Sequence, residues 1–274
     1  MKKNVYYIND IQTLLLSLIR EVTRICDENH IEYFLVKGGL IGAVRHKGFI
    51  PWDPDVDFVI LRKDIMRFCE ALRNNLSDPF ELYYFDAQSD YEYLFPRVGL
   101  KGVDYRRLHL DVFILTEAPD SIEEQKRFFK AISIYEKINT LRNSNVFRPV
   151  NSIINRTILV FSKLALCWMP KSVVRNNYLK FISKYEDQTN YVLQVGAVDE
   201  YGMKYLMPRK WFEHSIRLPF EDFELKAPKE YDLYLKQMYK DYMRLPDKKE
   251  QAKINNTWSF PNDENIIKCL NRSK

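Results

Sequence analysis

The hydrophobic pattern of the first 75 residues switches between the helical and the strand period. Apolar residues recur every three or four positions in some stretches, which is typical of amphipathic helices. Other stretches are short and apolar throughout, as expected for buried strands. The pattern predicts helices over residues 8–30, 40–45 and 63–75, and strands over residues 31–36 and 56–61.

The remainder of the chain continues the alternation and then becomes mainly helical. Strand-prone runs cover residues 81–85, 91–98 and 109–115, and a helix is expected over residues 121–141. This order predicts an α/β (α+β) fold in which helices flank a mixed β-sheet. We expect a catalytic core over residues 1–145 and a mainly helical region over residues 146–274, packed on the core as one compact unit.

Composition adds a general statement about partners. The chain of 274 residues is 46% hydrophobic and carries a net charge of +5, which favours anionic partners such as nucleotides, phosphates or an acidic membrane surface. No clustered basic stripe with interleaved aromatics is present, so nucleic-acid binding is not expected. The four cysteines are far apart in sequence, which predicts reduced thiols. The first residues do not resemble a signal peptide, and a cytoplasmic protein is the expectation.

Residues 153–169 are strongly apolar, but Ser162 and Lys163 interrupt them. A bilayer span needs about 20 consecutive apolar residues, so this segment is not expected to cross a membrane. Two interpretations remain: a buried helix, or an interfacial helix that brings the protein to a lipid-linked substrate. The second would make the protein peripheral at the inner face of the membrane.

Three acidic residues at alternate positions are the most informative feature of the chain. Asp53, Asp55 and Asp57 lie at the entrance of the strand predicted at residues 56–61. Residues two apart on a strand share a face, so Asp55 and Asp57 can direct their carboxylates to one point. Mg²⁺ accepts such oxygen ligands together with substrate phosphates. Acidic residues at a strand entrance can also be simply solvated.

Two neighbouring features favour the metal site over the solvated alternative. The strand after Asp57 is apolar, which fixes the acids to the core. Gly38 and Gly39 precede the acids at the start of a predicted helix, where a backbone can approach a phosphate closely and offer free N–H groups. We therefore predict that Asp55 and Asp57 bind a catalytic metal and that Gly38 and Gly39 contact phosphate.

Asp111 interrupts another apolar strand and is predicted to be the third acid of the site. A charge in a buried strand is costly unless it is paired or bound to a metal. The alternative is a salt bridge to Arg106 or Arg107. Asp111 would serve as a metal ligand or as a general base.

Basic residues near the acids are candidates for phosphate binding. Arg45 and Lys47 lie between the glycines and the acids, and Arg97 lies in the strand-prone run at residues 91–98. Phosphoryl transfer depends on charge neutralisation, which these cations could provide. His46 is interpreted as structural, and Trp52 is expected to pack under the loop.

These residues resemble the LicD family, which includes bacterial phosphocholine transferases and the fukutin-related proteins. The family's G-T-L-L-G-A-x-R-H-x-G-F-I-P-W-D-D-D-I-D pattern is similar to residues 38–57, and its I-D-I-F-P-L signature is similar to residues 110–115. Residues 239–246 resemble the family's Y-G-D-Y-M-x-L-P. Departures are Gly39 in place of Thr or Ser, Pro54 in place of the middle acid, and Lys240 in place of glycine.

The resemblance implies a nucleotidyltransferase-type fold and a metal-dependent reaction. Phosphocholine, or ribitol or glycerol phosphate, would pass from a CDP-linked alcohol donor to a hydroxyl of a glycan, teichoic-acid or lipopolysaccharide precursor, which could be lipid-linked. The resemblance carries Mg²⁺ or Mn²⁺ binding onto Asp55, Asp57 and Asp111. Two alternatives stay open: a true nucleotidyltransferase that uses an NTP, and a non-catalytic nucleotide- or glycan-binding protein.

Overall fold

The computed structural model describes residues 8–84, 91–143, 153–166, 168–185 and 189–257, together with Ile266 and Cys269. Its α-helices are α1 (Ile8–Glu28), α2 (Lys37–Arg45), α3 (Ile65–Asn75), α4 (Ile122–Asn143), α5 (Ile153–Leu166), α6 (Lys171–Ile182), α7 (Val198–Tyr201), α8 (Tyr231–Tyr239) and α9 (Lys248–Thr257). Its strands are β1 (Phe34–Val36), β2 (Asp57–Leu61), β3 (Phe80–Tyr83), β4 (Arg97–Leu100), β5 (His109–Ala118), β6 (Tyr191–Val195), β7 (Leu206–Pro208), β8 (Ser215–Phe220) and β9 (Phe223–Pro228).

The fold is mixed α/β, as the sequence predicts, and the chain forms two compact units. The first unit contains residues 1–83, 96–114 and 210–274, and the second contains residues 84–95 and 115–209. The units interleave along the chain, whereas the sequence predicts a division at residues 145 and 146. The C-terminal region also contains the strands β6 to β9 besides its helices.

The first unit is built on a sheet with the strand order β1-β2-β5-β4-β3. The pairs β1–β2, β3–β4 and β4–β5 are antiparallel. Every residue of β5 is buried, which explains why its sequence is almost continuously apolar. The amphipathic helix α1 buries one face completely, through Leu18, Ile19, Val22 and Ile25.

A separate hairpin of β8 and β9 completes the first unit. Its strands pair from Ser215 opposite Pro228 to Phe220 opposite Phe223, and Glu221 and Asp222 form the turn. Glu221 adopts a positive φ of 56°, which is the left-handed conformation that such tight turns require.

The second unit contains α4 to α7 with β6 and β7, which pair antiparallel. Glu136 on α4 is buried and accepts hydrogen bonds from the backbone N–H groups of Gly196 at 2.7 Å and Val198 at 2.9 Å. These bonds explain how a carboxylate is tolerated on a buried helix face.

Most predicted elements are confirmed, and one is wrong over much of its length. The strand predicted at residues 91–98 begins only at Arg97, and residues 91–96 are irregular. Four of those six residues are aromatic or apolar, so the error arises because a short apolar run does not distinguish a strand from a buried loop. Phe85, at the end of another predicted strand, and Cys167 lie outside the described residues. Cys26 and Cys69 are buried thiols outside any disulfide, as predicted.

Candidate functional site

The edge where β1 meets α2 places a buried lysine beside the acids. Val36 pairs with Asp57, and the next residue, Lys37, has a positive φ of 50°. The Lys37 Nζ atom lies 4.0 Å from Asp57 Oδ2 and 4.0 Å from the centroid of the Phe113 ring. Both Lys37 and Asp57 are buried, so the lysine partly offsets the charge of the carboxylate in a low-dielectric surrounding.

Asp55 is the least compensated acid of the site. Its Oδ1 atom is buried and has no hydrogen-bond partner among the described residues. Burial raises the pKa of Asp55 well above its usual range, and the charges of Asp57 and Asp111 raise it further. Lys37 acts in the opposite direction without cancelling these effects. The negative charge of the acids is therefore not fully offset by the cations beside them.

Asp53 lies at the entrance of the same cluster. Burial raises the pKa of Asp53 to about 6, and a hydrogen bond from the Asp55 backbone partly opposes that rise. A Cβ atom on Gly38 would lie 3.3 Å from Asp53 Oδ2, so the glycine allows this carboxylate to approach α2 closely.

The raised pKa of Asp53 predicts a pH-dependent stability in the absence of divalent cations. Native Asp53 keeps its proton up to a pH of about 6, whereas the unfolded chain loses it near the ordinary value of 3.8. The contribution of the Asp53 carboxyl group to the free energy of unfolding is therefore present at low pH and is lost as the pH rises through the native pKa. We expect Asp53→Asn to raise the free energy of unfolding at neutral pH by about 2 kcal/mol and to leave it unchanged near pH 3.5.

Urea unfolding in EDTA at a series of pH values measures this difference. Asp64→Asn is the matched control, because Asp64 is an acid at the opposite end of β2 that pairs with Arg67 at 3.2 Å. A constant difference between Asp53→Asn and the wild type at all pH values would contradict the prediction.

Asp111 is held in a buried ion pair. Arg97 Nε lies 2.5 Å from Asp111 Oδ1, and Arg97 Nη2 lies 3.1 Å from Oδ2, because β4 and β5 pair Arg97 directly with Asp111. Burial alone would raise the pKa of Asp111, but the positive charge of Arg97 and its hydrogen bond lower it, and Lys37 acts in the same direction. The salt bridge considered from the sequence therefore exists, with Arg97 in place of Arg106 or Arg107; Arg106 pairs with Asp104 at 3.0 Å.

His109 lies next to this ion pair, with its Nε2 atom 3.6 Å from Asp111 Oδ1. Burial lowers the pKa of His109 to about 4, and nearby Arg97 lowers it further although Asp111 opposes the shift. The imidazole is consequently neutral at physiological pH. It is a polar neighbour of Asp111 and not a second cation.

The donor set fits a divalent cation at Asp55 and Asp57 but gives less support for Asp111 as a third ligand. No group of three or more His, Cys, Asp or Glu side chains among the described residues has an arrangement that could hold a metal ion. The unpartnered Oδ1 of Asp55 and its proximity to Asp57 match the needs of a hard oxygen-binding ion. Both carboxylate oxygens of Asp111 already accept hydrogen bonds from Arg97. The metal itself stays a prediction.

The two glycines lie inside the first turn of α2, since the helix begins at Lys37. The preceding residue, Val36, provides no side-chain cap, so its side chain satisfies none of the first-turn N–H groups. Gly39 is buried, and a Cβ atom there would lie 2.8 Å from Leu35 Cδ1. Gly39 therefore serves close packing, and Gly38 is the glycine that faces the acids.

The predicted phosphate ligands Arg45 and Lys47 make structural contacts. Arg45 Nη1 donates to the carbonyls of Tyr242 at 2.9 Å and Arg244 at 3.2 Å. Arg45 thus joins α2 to the segment that resembles the family's third motif. Lys47 Nζ donates to the carbonyl of Val44 at 3.1 Å, and phosphate binding by Arg45, Lys47 and Arg97 stays a prediction.

The hairpin turn of β8 and β9 fixes the loop that leads to the acids. Glu221 accepts a hydrogen bond from the Phe49 N–H at 2.9 Å and donates its own N–H to the Lys47 carbonyl at 2.7 Å. On the other side of the loop, Gln12 donates to the carbonyls of Ile50 at 3.1 Å and Asp53 at 3.3 Å. The loop is therefore positioned by hydrogen bonds from two distant parts of the sequence.

Gly48 is required where Glu221 crosses the loop. A Cβ atom on Gly48 would collide with the Glu221 carboxylate. We expect Gly48→Ala to lower the free energy of unfolding by about 1–3 kcal/mol, as overpacking does. In a Glu221→Asn background the loss should be clearly smaller, because the shorter side chain leaves room and Asn tolerates a positive φ.

A double-mutant cycle measured by urea unfolding tests this coupling. The matched control is Gly202→Ala, since a Cβ atom on Gly202 meets nothing within 4 Å but its φ of 62° strains any side chain. Gly202→Ala should lower the free energy of unfolding by the same amount in the wild type and in the Glu221→Asn background. Additive effects of Gly48→Ala and Glu221→Asn would show that the two residues do not interact.

Sequence reasoning did not assign roles to Lys37 and Glu221. Lys37 could have been found, because a lysine between a buried strand and a glycine pair is unusual in a predicted core. Glu221 gives no such signal, because its sequence separation from Gly48 hides the contact.

Fold and site together define a class of protein: a mixed α/β domain with carboxylates at a strand entrance beside the N-terminus of α2. Residues 30–153 match the family described as LicD/FKTN/FKRP, nucleotidyltransferase domain. The chain therefore contains a domain that matches the LicD family, and the relatives named below are phosphotransferases.

The relatives differ in how much of the chain they cover. The lipopolysaccharide cholinephosphotransferase LicD of Haemophilus influenzae is 29% identical over 258 residues, which is 88% of this chain and 92% of the relative. The ribitol 5-phosphate transferase FKRP of human and mouse is 43% identical over 54 residues, which is 20% of this chain and 11% of FKRP.

Proposed function

We propose that this protein transfers a substituted phosphate from a CDP-linked alcohol to a hydroxyl of a cell-surface glycan or lipopolysaccharide precursor, in a metal-dependent reaction. The observation that carries this proposal is the buried Oδ1 of Asp55, which lies within a cluster of acids and has no hydrogen-bond partner in the described part of the chain. A diphosphate donor brings the divalent cation that such a cluster needs. The cholinephosphotransferase relative, which is similar over most of the chain, favours phosphocholine as the transferred group.

Asp55 and Asp57 would hold Mg²⁺ or Mn²⁺, whose charge neutralises the donor diphosphate and the leaving CMP. The acceptor hydroxyl attacks the phosphorus that carries the alcohol, so that a new P–O bond forms as the bond to CMP breaks. The backbone N–H of Gly38, in the first turn of α2, would bind phosphate oxygens.

Lys37 is better placed than Arg45 to stabilise negative charge at the acids. Its Nζ atom lies 4.0 Å from Asp57, whereas Arg45 is bound to carbonyls of residues 242 and 244. Lys37 would therefore orient Asp57 and oppose the charge that develops on the phosphates. Asp111 remains the proposed third acid, as ligand or base, and it would need to exchange part of its contact with Arg97 to act in either way.

Metal-dependent binding of a donor panel by calorimetry tests the proposal. CDP-choline, CDP-ribitol, CDP-glycerol, CTP and UDP-glucose are compared with and without Mg²⁺ or Mn²⁺. We expect one CDP-alcohol to bind only with metal, and we expect Asp55→Asn/Asp57→Asn to abolish that binding. The double variant Asp64→Asn/Asp222→Asn is the control, because it also removes two negative charges but at residues outside the acid site.

The alternatives give different results in the same experiment. Preferential binding of CTP with release of pyrophosphate would identify a true nucleotidyltransferase. Binding of a CDP-alcohol without turnover toward any acceptor would identify a non-catalytic binding protein. If no ligand of the panel bound in a metal-dependent way, this result would contradict the proposal.

The finer assignments of acceptor and location are part of the same proposal. A lipid-linked acceptor would bring the enzyme to the inner face of the membrane. Among the described residues, no helix has the length and apolar composition to cross a bilayer. Any association with the membrane through these helices would be peripheral.

A further inference from the structure

The end of α5 and the beginning of α6, in the second unit, expose a group of large apolar side chains. Trp168 is 88% exposed, Phe161 is 67% exposed and Leu164 is 59% exposed. Phe161 and Leu164 are three residues apart on α5, which places them on one face of the helix, and Trp168 follows just after the helix ends. We call the following residues the apolar corner: Val160, Phe161, Leu164, Trp168, Met169 and Val173.

The apolar corner is joined to α4 by a hydrogen bond from a side chain to its backbone. Arg142, in the last turn of α4, donates from Nη1 to the carbonyl of Leu166 at 2.5 Å. The carbonyl of Pro170 accepts from the Val173 N–H at 3.1 Å, which begins α6 within the corner. The exposed side chains are therefore carried on ordered backbone and not on a free end. Monomeric proteins rarely expose such contiguous apolar groups without a partner.

All charged residues that lie near the apolar corner in the sequence are basic. Residues 137–185 contain no Asp or Glu, and they contain the basic residues Lys137, Arg142, Arg148, Arg156, Lys163, Lys171, Arg175, Lys180 and Lys184. Lys163 and Lys171 lie within and beside the corner and are partly exposed, and Lys180 and Lys184 are exposed farther along α6 and just after it. The partner must therefore tolerate or prefer cations next to apolar groups.

We infer that the apolar corner binds the surface of an anionic lipid membrane. Tryptophan and phenylalanine combined with lysine are typical of helices that lie in the headgroup region. Basic residues add attraction to anionic lipids. A protein partner fits less well, because lysine is depleted from protein interfaces. The inference deepens the proposed function, on which its biological role rests, by naming the surface that would meet a lipid-linked acceptor.

Co-sedimentation of the full chain with vesicles tests the inference without donor or acceptor. We expect binding to vesicles that contain phosphatidylglycerol, much weaker binding to pure phosphatidylcholine, and weakening by salt. Phe161→Ser/Trp168→Ser should lower the partition coefficient by about tenfold or more, because two large apolar groups no longer enter the interface. Lys180→Glu/Lys184→Glu should lower it to a similar extent through charge alone.

Met66→Ser is the matched control, because Met66 is 51% exposed on α3 in the first unit. Its binding to vesicles should equal that of the wild type. Equal binding of wild type and Phe161→Ser/Trp168→Ser would overturn the inference. Concentration-dependent dimers that disappear in Phe161→Ser/Trp168→Ser, without vesicle binding by the wild type, would assign the corner to a second copy of the chain and would also overturn it.

Transferase activity toward a soluble acceptor separates this inference from the proposed function. The apolar corner lies outside the acid site, so Phe161→Ser/Trp168→Ser should retain wild-type turnover on a water-soluble glycan. Loss of vesicle binding with intact turnover supports both conclusions. Vesicle binding without any turnover would contradict only the proposed function.

Discussion

The Asp57→Asn protein is expected to keep its fold but to have a metal-dependent turnover rate about 1,000-fold lower than that of the wild type. Asparagine preserves the shape of the side chain and removes the negative charge. Asp57 is buried, pairs through its backbone with Val36 and faces the Lys37 ammonium at 4.0 Å. Without its charge, the site would keep Asp55 as a proposed metal ligand but would lose the second carboxylate that a bound cation needs.

CMP release from the CDP-alcohol identified by calorimetry, measured over a titration of Mg²⁺, quantifies this loss. Asp64→Asn, at the opposite end of β2, is the matched control and should keep wild-type turnover. Circular dichroism and a thermal melt establish that Asp57→Asn is folded. Near-normal turnover of Asp57→Asn would show that the proposed mechanism is wrong.

Replacing Arg97 by methionine is expected to lower the free energy of unfolding by about 3–5 kcal/mol. Arg97 and Asp111 are both buried and make two hydrogen bonds to each other across β4 and β5. Arg97→Met leaves the Asp111 carboxylate buried with far less compensation, since His109 is neutral. The cost of an uncompensated buried charge is much larger than that of a lost surface ion pair.

Urea unfolding measures the loss of stability of Arg97→Met, and two further variants serve as comparisons. Arg217→Met removes an exposed ion pair with Asp27 at 2.9 Å and should cost at most about 1 kcal/mol. Adding Asp111→Leu to Arg97→Met removes the orphaned charge as well and should recover most of the lost stability. A loss for Arg97→Met no greater than that for Arg217→Met would show that the pair does not stabilise the sheet.

Local patterns in the sequence were sufficient for most of the secondary structure. The helices α1, α3 and α4 and the strands β2 and β5 follow directly from apolar periods, because burial of one face requires that spacing. The irregular residues 91–96 and the hairpin of β8 and β9 were not predicted. Their apolar residues pack against other segments of the chain, and a short run does not record such contacts.

The candidate acids were also visible in the sequence, but their pairing was not. The alternation of Asp53, Asp55 and Asp57 before an apolar strand identifies carboxylates at a strand entrance, since the strand period is two. The partner of Asp111 depends on the register of β4 against β5, which places Arg97 opposite it. No local pattern distinguishes Arg97 from Arg106 as that partner.

The sequence by itself therefore determined the mixed α/β class, the acids at the strand entrance and the resemblance to the LicD family. Each of these depends on residues that are near one another in the chain. Only the tertiary structure decided that Lys37 faces Asp57, that Arg97 holds Asp111 and that Glu221 positions the loop before the acids. It also decided that no residue within the described ranges offers Asp55 Oδ1 a hydrogen bond. The reason is physical: charge compensation and burial depend on distances between segments, and folding sets those distances through strand register and packing.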